Sequence, residues 1–212
     1  MTVDISRVVL LDVQSGKYVE ADLLDAIQER QISDWEDLWT PALQEGLERL
    51  ASANAPKSSW PQNRHWNWRE KSEAMNGLLC SQGFSLVCDG VTQGLIAVNM
   101  VSHRCRLPEQ QGKDLVYIEL LENAPWNRPE LLFQPIKFKG VGTMLMAAAI
   151  ELSREQGFKG RLGLHALPQS ERWYREACGM TDMGIDQHAQ GLRYFEMTAQ
   201  QASAFILKGG SR

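Results

Sequence analysis

Residues 137–152 read KFKGVGTMLMAAAIEL, and this stretch decides the fold. Its apolar residues recur every three to four positions, which predicts a helix over 141–156 that Gly157 ends. Gly140 and Gly142 permit a tight turn where that helix begins, since neither carries a Cβ that would block a ligand. The stretch therefore predicts a glycine turn that leads directly into a long helix.

The chemistry of this turn suits an anion. Successive N–H groups in such a turn converge on one point, and the N-terminus of a helix adds partial positive charge. Lys137 and Lys139 add two cations, so the turn fits a diphosphate held mainly by backbone. On its own, a Gly-x-Gly helix start is more often an ordinary turn. The nucleoside-triphosphate P-loop does not fit, because it needs Gly-Lys-Ser/Thr, and the Rossmann fingerprint lacks its third glycine.

The segments that flank the turn predict strands and helices in a mixed order. Downstream, RLGLHAL predicts a strand, SERWYREACG a short helix and GLRYFEMT another strand, and Thr198 with Gln201 forms a capping box before a last helix. Upstream, FSLVCDG and TQGLIAVNMV flank Asp89-Gly90, a hairpin signal, and residues 115–122 predict a third strand. This order indicates an α+β fold.

The first third of the chain predicts a hairpin and two helices. Strands at 8–13 and 17–20 are joined by a Ser-Gly turn. Ser33 and Glu36 form a capping box, which predicts that a helix starts there. The apolar face of that helix comprises Trp35, Leu38, Trp39, Ala42, Leu43, Gly46, Leu47 and Leu50. A surface loop over 52–63 and a short helix in HWNWREKSEAM follow.

Several of these motifs together resemble the GNAT superfamily of acyl-CoA-dependent N-acetyltransferases. The resemblance lies in LENAP at 121–125, the glycine turn, the long helix, the next strand, and Trp173-Tyr174 ahead of Gly179-Met180. The family opens its helix with R/Q-x-x-G-x-G/A after an L-x-V-x-P strand end, and the match covers roughly residues 84–198. Lys137 stands where the family has Arg or Gln.

The resemblance implies a fold and a domain organisation. The fold is α+β, with a mixed, mostly antiparallel sheet whose central strands splay and whose faces are flanked by helices. Residues 1–212 form a single domain, with a hairpin and helices in 1–80 and the cofactor-binding and catalytic core in 84–198.

The chain also departs from the family pattern in four places. Asn123 stands where an apolar residue is common, and an insertion, Trp126–Ile136, precedes the glycine turn. Leu167 occupies a position where the family often has Asn. One extra residue separates Tyr174 from Gly179.

The resemblance implies transfer of an acetyl group from acetyl-CoA to an amine by direct attack, without a metal. The residues expected to bind the cofactor are Leu121, Glu122, Asn123, Lys137, Phe138, Lys139, Gly140, Val141, Gly142 and Thr143. A backbone N–H at the strand end would polarise the thioester, and Tyr174 would protonate the departing thiolate. Packing at a helix–sheet junction is an equal alternative for Tyr174.

The attacking amine must lose a proton, and Glu119 and Glu122 are the candidate bases. Strand alternation puts them on opposite faces, and a base at neutral pH needs a raised pKa. A solvated strand carboxylate is the alternative for Glu119. His165 is a further candidate, although a lone histidine there is more often structural.

An aromatic and basic cluster also invites a functional interpretation. Trp60, Trp66 and Trp68 lie near Arg64, His65 and Arg69, either lining an acceptor pocket or forming a surface staple of Arg and aromatic groups. The segment 126–128 (WNR) lies in the insertion and would shape acceptor access.

Composition excludes several classes of protein. Lys plus Arg total 22 against 26 Asp plus Glu, a net charge of −4, which argues against a generally basic nucleic-acid binder. No apolar run reaches the ~18 residues of a membrane helix, and the first residues lack a secretory signal pattern. The scattered thiols predict a reducing, cytoplasmic setting; they are Cys80, Cys88, Cys105 and Cys178. The histidines show no metal-ligand spacing.

Two other functions stay open. The chain could be a non-catalytic module that binds acyl-CoA or a protein, because fold does not fix function. It could also acetylate aminoacyl-tRNA, as some toxin members of the family do, although the acidic balance speaks against nucleic acid. The acceptor is undefined, and so is the oligomeric state, for which a homodimer is one option.

Overall fold

The computed structural model describes residues 3–131 and 135–209. The strands are β1 (Ile5–Asp12), β2 (Tyr18–Leu24), β3 (Ser81–Cys88), β4 (Val91–Asn99), β5 (Val116–Asn123), β6 (Phe138–Lys139), β7 (Leu162–Ala166), β8 (Thr181–Asp186) and β9 (Leu192–Met197). The α-helices are α1 (Glu29–Asp34), α2 (Thr40–Ser52), α3 (Trp68–Met75), α4 (Val141–Glu155) and α5 (Ala199–Gly209). None of the helices in these two ranges combines the length and apolar character needed to cross a membrane.

The strands join in one nine-stranded sheet in the order β6-β1-β2-β3-β4-β5-β7-β9-β8. β5 and β7 are parallel, whereas β1 with β2, β2 with β3, and β7 with β9 are antiparallel. Pairing between β5 and β7 runs from Val116 to Ile118, although β5 continues to Asn123. The predicted α+β class, with its mixed, mostly antiparallel sheet and splayed strands, is confirmed.

The described residues fall into two compact units. The first unit lies within Met1–Leu78, Gly83–Ile96 and Leu121–Leu145. The second unit lies within Leu79–Gln82, Ala97–Leu120 and Met146–Arg212. A single domain over residues 1–212 stays a prediction.

The first unit begins with the predicted hairpin, in which β1 and β2 are longer than expected and pair from Ile5–Leu24 to Leu11–Tyr18. The predicted helix start at Ser33 and Glu36 is wrong. A cap at Ser33 would make Asp34 the first helical residue, but the helix begins five residues earlier, at Glu29. Gln28 is the N-cap residue, and its N–H donates to the Gln31 side chain at 3.0 Å. Glu36 does not cap, because its carboxylate is paired with Arg69 at 2.6 Å.

A π-helical turn, Trp35–Trp39, connects α1 to α2. Its wider turn adds a residue and so rotates the residues that follow. This explains why Leu38, which was predicted on the apolar face, is 40% exposed, whereas Trp39 is 1% exposed. The Trp39 indole N–H donates to the Thr92 carbonyl at 2.9 Å and so fastens this helix to β4.

The predicted long helix is confirmed as α4, and Gly94 on β4 explains how its first turns pack. A Cβ on Gly94 would lie 2.5 Å from Val141 Cγ1 and 2.8 Å from Leu145 Cδ1. Real Cβ contacts do not come this close, so glycine is required for α4 to pack directly on the strand. The sheet thereby sets the position of the start of α4.

The second unit contains β7, β9 and β8 in antiparallel pairs, followed by α5. The predicted capping box is confirmed, because Thr198 N–H donates to Gln201 Oε1 at 2.8 Å and Gln201 N–H donates to Thr198 Oγ1 at 3.2 Å. The strand β8 was not predicted. Its sequence, TDMGID, contains two aspartates and a glycine, which are depleted in strands.

Candidate active site

The glycine turn takes the backbone conformation that its sequence predicts. Gly140 has φ 102°, a region that residues with a Cβ rarely adopt. The Met144 N–H donates to the Gly140 carbonyl at 2.9 Å. The amides of residues 141–143 precede this bond, and the first amides of a helix have no acceptor within the helix itself. Lys137 and Lys139 are exposed, and Gly140 is half-buried, so cations and helix end share this turn.

The segment leading into the turn uses its own N–H groups internally. Lys137 N–H donates to the Trp126 carbonyl at 3.0 Å, and Phe138 N–H donates to Asn127 Oδ1 at 2.8 Å. Val13 N–H donates to the Lys137 carbonyl at 3.0 Å. Lys139 also pairs with Leu11 in the antiparallel ladder between β6 and β1, so an anion in this turn can use only backbone amides that come after Lys139.

A buried glutamine, Gln93 on β4, positions this segment. Its Oε1 accepts from Trp126 Nε1 at 2.8 Å and from Asn127 Nδ2 at 3.0 Å. Asn127 in turn accepts the N–H of Phe138, so β4 is connected through the insertion to the glycine turn. The sequence motifs predicted neither Gln93 nor this role for Asn127. A glutamine within an otherwise apolar strand was the available signal, because buried amides need partners.

Asn123 ends β5, two residues after Leu121. Its Oδ1 is buried and has no hydrogen-bond partner in the part of the chain that the structure describes. A buried acceptor without a donor costs free energy, on the order of 1–3 kcal/mol. The end of β5 thus offers an acceptor suited to a ligand N–H.

Glu122 lies in a closed cluster in the first unit. Its carboxylate accepts from Asn63 Nδ2 at 2.5 Å, from Trp68 Nε1 at 2.6 Å and from Arg128 Nη1 at 3.2 Å. Arg128 Nη2 also donates to Asn63 Oδ1 at 2.9 Å. Glu122 and Arg128 are each 6% exposed. The cluster joins the loop before α3, the first turn of α3, the insertion and β5.

Burial raises the pKa of Glu122 to about 7, and the Arg128 guanidinium, the Trp68 indole and the Asn63 amide oppose that rise. A carboxylate has about four lone-pair positions, and three donors already occupy most of them. The side chain is neither solvated nor free to take a proton from a substrate. Its surroundings favour a structural role.

The aromatic and basic cluster of the sequence divides in the structure. Trp68 is buried in the Glu122 cluster, whereas Trp60 Nε1 donates to the Ala55 carbonyl at 3.3 Å. Arg69 forms ion pairs with Glu36 at 2.6 Å and with Glu29 at 2.8 Å. Its charge is therefore engaged by carboxylates. Residues 132–134 of the insertion lie outside the described residues.

A chain of proton-carrying groups runs through the second unit. Tyr117 Oη lies 2.7 Å from His165 Nδ1, and His165 Nε2 lies 3.1 Å from Asp186 Oδ2. Arg106 Nη1 donates to the same Asp186 oxygen at 2.6 Å. The Arg106 hydrogen bond, followed by that of His165, holds the pKa of Asp186 well below its usual range. A carboxylate is thus fixed behind the histidine, an arrangement that orients the ring.

Glu119 lies beside this chain. It is half-buried and two residues after Tyr117, so both side chains project from one face of β5. Burial raises the pKa of Tyr117 to about 12, and the Glu119 charge adds to that rise. His103 stacks on Tyr117 at 3.6 Å between ring centroids, and burial lowers the pKa of its imidazole.

Tyr174 lies in a second π-helical turn, Trp173–Ala177, in the second unit. The Cys178 N–H donates to the Trp173 carbonyl at 3.0 Å, which defines the wide turn. This turn accommodates the extra residue that the sequence shows between Tyr174 and Gly179, and such turns are frequent at functional sites. The Tyr174 ring packs against Trp173 at 4.9 Å, and burial raises the pKa of its hydroxyl.

The structure thus groups the predicted site residues by unit. The first unit holds the expected cofactor-binding residues, 121–123 and 137–143, whereas the second holds Glu119 and Tyr174. Among the described residues, no group of three His, Cys, Asp or Glu side chains is arranged to hold a metal ion.

Comparison with known proteins identifies the fold. No protein-family model matches the sequence, and no curated protein matches it either. Among solved structures, the GNAT domain of S. lividans PAT is 14% identical, with 91% of this chain and 96% of that chain covered and a TM-score of 0.54. Mycobacterium smegmatis RimJ in complex with CoA-disulfide is 12% identical, with 99% and 95% covered and a TM-score of 0.52.

The protein therefore has the GNAT fold, as the motifs around the glycine turn predicted. At these identities, the likeness establishes the architecture, and the chemistry has to be argued from the residues of this chain.

Proposed function

We propose that the protein transfers an acetyl group from acetyl-CoA to an amine acceptor by direct attack. The observation that carries this proposal is the turn at Gly140, whose φ of 102° leads into the open amides at the start of α4. The GNAT fold supports it, and one of the similar solved structures, RimJ, is a complex with CoA-disulfide.

The residues at the turn and at the end of β5 fit the cosubstrate. Amides after residue 139 would hold the diphosphate, with the exposed Lys137 and Lys139 ammonium groups adding charge. The unpartnered Asn123 Oδ1 would accept an N–H of the pantetheine arm. Leu121 and Glu122 would contribute backbone to that arm, while the Glu122 carboxylate keeps its structural partners.

The second unit would supply the proton chemistry. The amine nitrogen forms the new C–N bond, the C–S bond breaks, and the thiolate takes a proton from Tyr174. Glu119 accepts the proton that the amine gives up, beside the chain formed by Tyr117 and His165. The Tyr174 hydroxyl is protonated at neutral pH, as an acid must be, although burial raises its pKa and so makes it a weaker proton donor than an exposed tyrosine.

Direct attack is favoured over an acetyl-enzyme intermediate. Such an intermediate on Cys178 would need a thiolate. Cys178 is 2% exposed, and burial raises the pKa of its thiol. The thiol is therefore protonated and inaccessible, which makes it a poor nucleophile.

Calorimetry with CoA and a turnover assay over a panel of amines test the proposal. Gly142→Glu places a carboxylate in the phosphate turn and should abolish CoA binding. Gly209→Glu is the matched control, because nothing lies within 4 Å of the Cβ position there and it should bind CoA normally. Unchanged CoA affinity in Gly142→Glu would overturn the assignment. CoA binding without turnover of any amine would instead support a non-catalytic module.

A further inference from the structure

A cavity of about 510 Å³ lies in the second unit, and none of its lining residues belongs to the site of the proposed acetyl transfer. Its walls come from the segment before β5, the loop before β7 and the first residues of α5. This volume falls within the ~300–1,000 Å³ typical of small-molecule sites. The chemistry of its walls indicates what it can bind.

Arg161 is the buried cation of this cavity. The residue is 8% exposed, and its Nε donates to the Asp114 carbonyl at 2.8 Å. Over the described ranges, Arg161 takes part in no ion pair with a carboxylate. The buried Glu196 carboxylate acts on the same Cys105 thiol as Arg161 but does not pair with the guanidinium directly, so the guanidinium can still bind an anion in the cavity.

Two lysines add to this charge. Lys113 Nζ donates to the Glu109 carbonyl at 3.2 Å, and neither Lys113 nor Lys159 forms an ion pair with any described residue. Glu109 is the acidic side chain on the wall. Gln110 also lines the cavity, but its amide donates to Glu196 at 2.7 Å. The wall therefore carries a net positive charge.

The start of α5 supplies backbone donors. Thr198 Oγ1 accepts the N–H of Gln201 at 3.2 Å, and the Thr198 carbonyl accepts the N–H of Ala202 at 2.9 Å. Thr198 thus accepts hydrogen bonds from the amides of Gln201 and Ala202. The amides of Ala199 and Gln200, which come first in the helix, remain available to a ligand, and both residues line the cavity. Amides at a helix start favour an anion.

We propose that this cavity binds the phosphate group of an organic phosphate, at a site separate in sequence from the glycine turn. Arg161 would grip the phosphate oxygens with its planar guanidinium, the α5 amides would donate to the same group, and Lys113 and Lys159 would add charge. The cavity is larger than a phosphate ion, so the remaining volume would hold the organic part of the ligand.

Inorganic pyrophosphate is the probe, titrated by calorimetry into the full-length Gly142→Glu protein, in which the glycine turn is blocked. Lys159→Ala should raise the Kd at least 10-fold, and Lys113→Ala should do the same. Lys57→Ala, at an exposed surface turn, is the control and should bind as the parent does. Arg161→Gln should abolish binding, and the lysine variants keep the test valid if that variant does not fold.

Equal pyrophosphate affinity in the parent and in both lysine variants would overturn the proposal. No binding by the parent at about 10 mM pyrophosphate would also overturn it, because even a site with a Kd of about 1 mM is then mostly occupied. Competition by CoA but not by dephospho-CoA would assign the site to the 3′-phosphate of the cosubstrate. Competition by neither would exclude the cosubstrate as the source of the phosphate group. CoA affinity of Lys159→Ala in the wild-type background tests the glycine turn separately, so the two proposals can fail independently.

Discussion

Two carboxylates on β5, Glu119 and Glu122, have opposite surroundings although they lie only three positions apart. Glu122 is 6% exposed and receives hydrogen bonds from three side chains. Glu119 is half-buried, and its charge acts on the pKa values of Tyr117 and His103. Residue type alone therefore does not assign a role to a carboxylate. Its burial and its hydrogen-bond donors decide whether it stabilises the fold or takes part in proton transfer.

The groups around each carboxylate are also organised differently. The Glu122 cluster is closed, since Arg128 binds both Glu122 and Asn63, and each partner satisfies another. The chain from Tyr117 through His165 to Asp186 is linear. A closed cluster stabilises one arrangement, whereas a linear chain can pass a proton along.

The largest expected effect is on the closed cluster. Arg128→Met removes the cation of a buried ion pair and should lower the free energy of unfolding at pH 8 by about 3–5 kcal/mol. The loss should be smaller at pH 5, because an isolated Glu122 is then protonated. Urea unfolding measures both values. Arg172→Met, which breaks a surface pair with Glu176, is the control and should cost less than about 1 kcal/mol. Equal losses in the two variants would contradict the structural role of the cluster.

The pH dependence of the free energy of unfolding tests the same cluster through the titration of Glu122. Burial raises the pKa of Glu122 to about 7 in the folded protein, whereas an unfolded glutamate titrates near ~4.3. The stability that this group contributes is therefore fully present below the unfolded pKa and is lost as pH rises through 7. In the wild type, the loss should approach about 1 kcal/mol per pH unit between these values.

Glu122→Gln removes that titration, so its stability should vary less with pH from 5 to 8. The measurement is the free energy of unfolding of wild type and variant at each pH. As pH rises, the wild type should lose stability relative to the variant. Glu155→Gln, at the exposed end of α4, is the control and should follow the wild type. A difference that is constant with pH would contradict the raised pKa of Glu122.

The next prediction concerns the other carboxylate. Glu119→Gln should lower kcat by about 100-fold, the range of general base catalysis, while the melting temperature stays close to that of the wild type. Steady-state kinetics over a range of pH, together with calorimetric melting, measures both quantities. A normal kcat in Glu119→Gln would show that another group, such as His165, accepts the proton. Glu119 would then have no catalytic role to set against the structural role of Glu122.

Local patterns in the sequence predicted most of the fold. The hairpin signal at Asp89-Gly90, the periodicity of α4 and the Thr198 capping box depend on neighbours along the chain, and each is confirmed. The errors arose where distant groups competed with a local signal. Glu36 had the spacing of a capping residue, but Arg69, 33 residues away, binds its carboxylate.

The candidate site was less predictable, for the same reason. The glycine turn is local and was found, but the Glu122 cluster joins Asn63 and Trp68 to a strand more than 50 residues away. No spacing rule links residues so far apart. The two π-helical turns were also missed, because an added residue disturbs helical periodicity without a sequence signature of its own.

The smallest expected effect concerns Tyr174. This residue is buried, as Glu122 is, and is proposed to transfer a proton, as Glu119 is. Tyr174→Phe removes one oxygen from a packed ring and should lower kcat about 10-fold, with little change in the KM for acetyl-CoA. The ring contacts with Trp173 and Phe195 persist in phenylalanine, so stability should change by less than about 1 kcal/mol. Tyr18→Phe, on the exposed face of β2, is the control. An unchanged kcat together with a loss of stability would show that Tyr174, like Glu122, has a structural role and does not take part in the reaction.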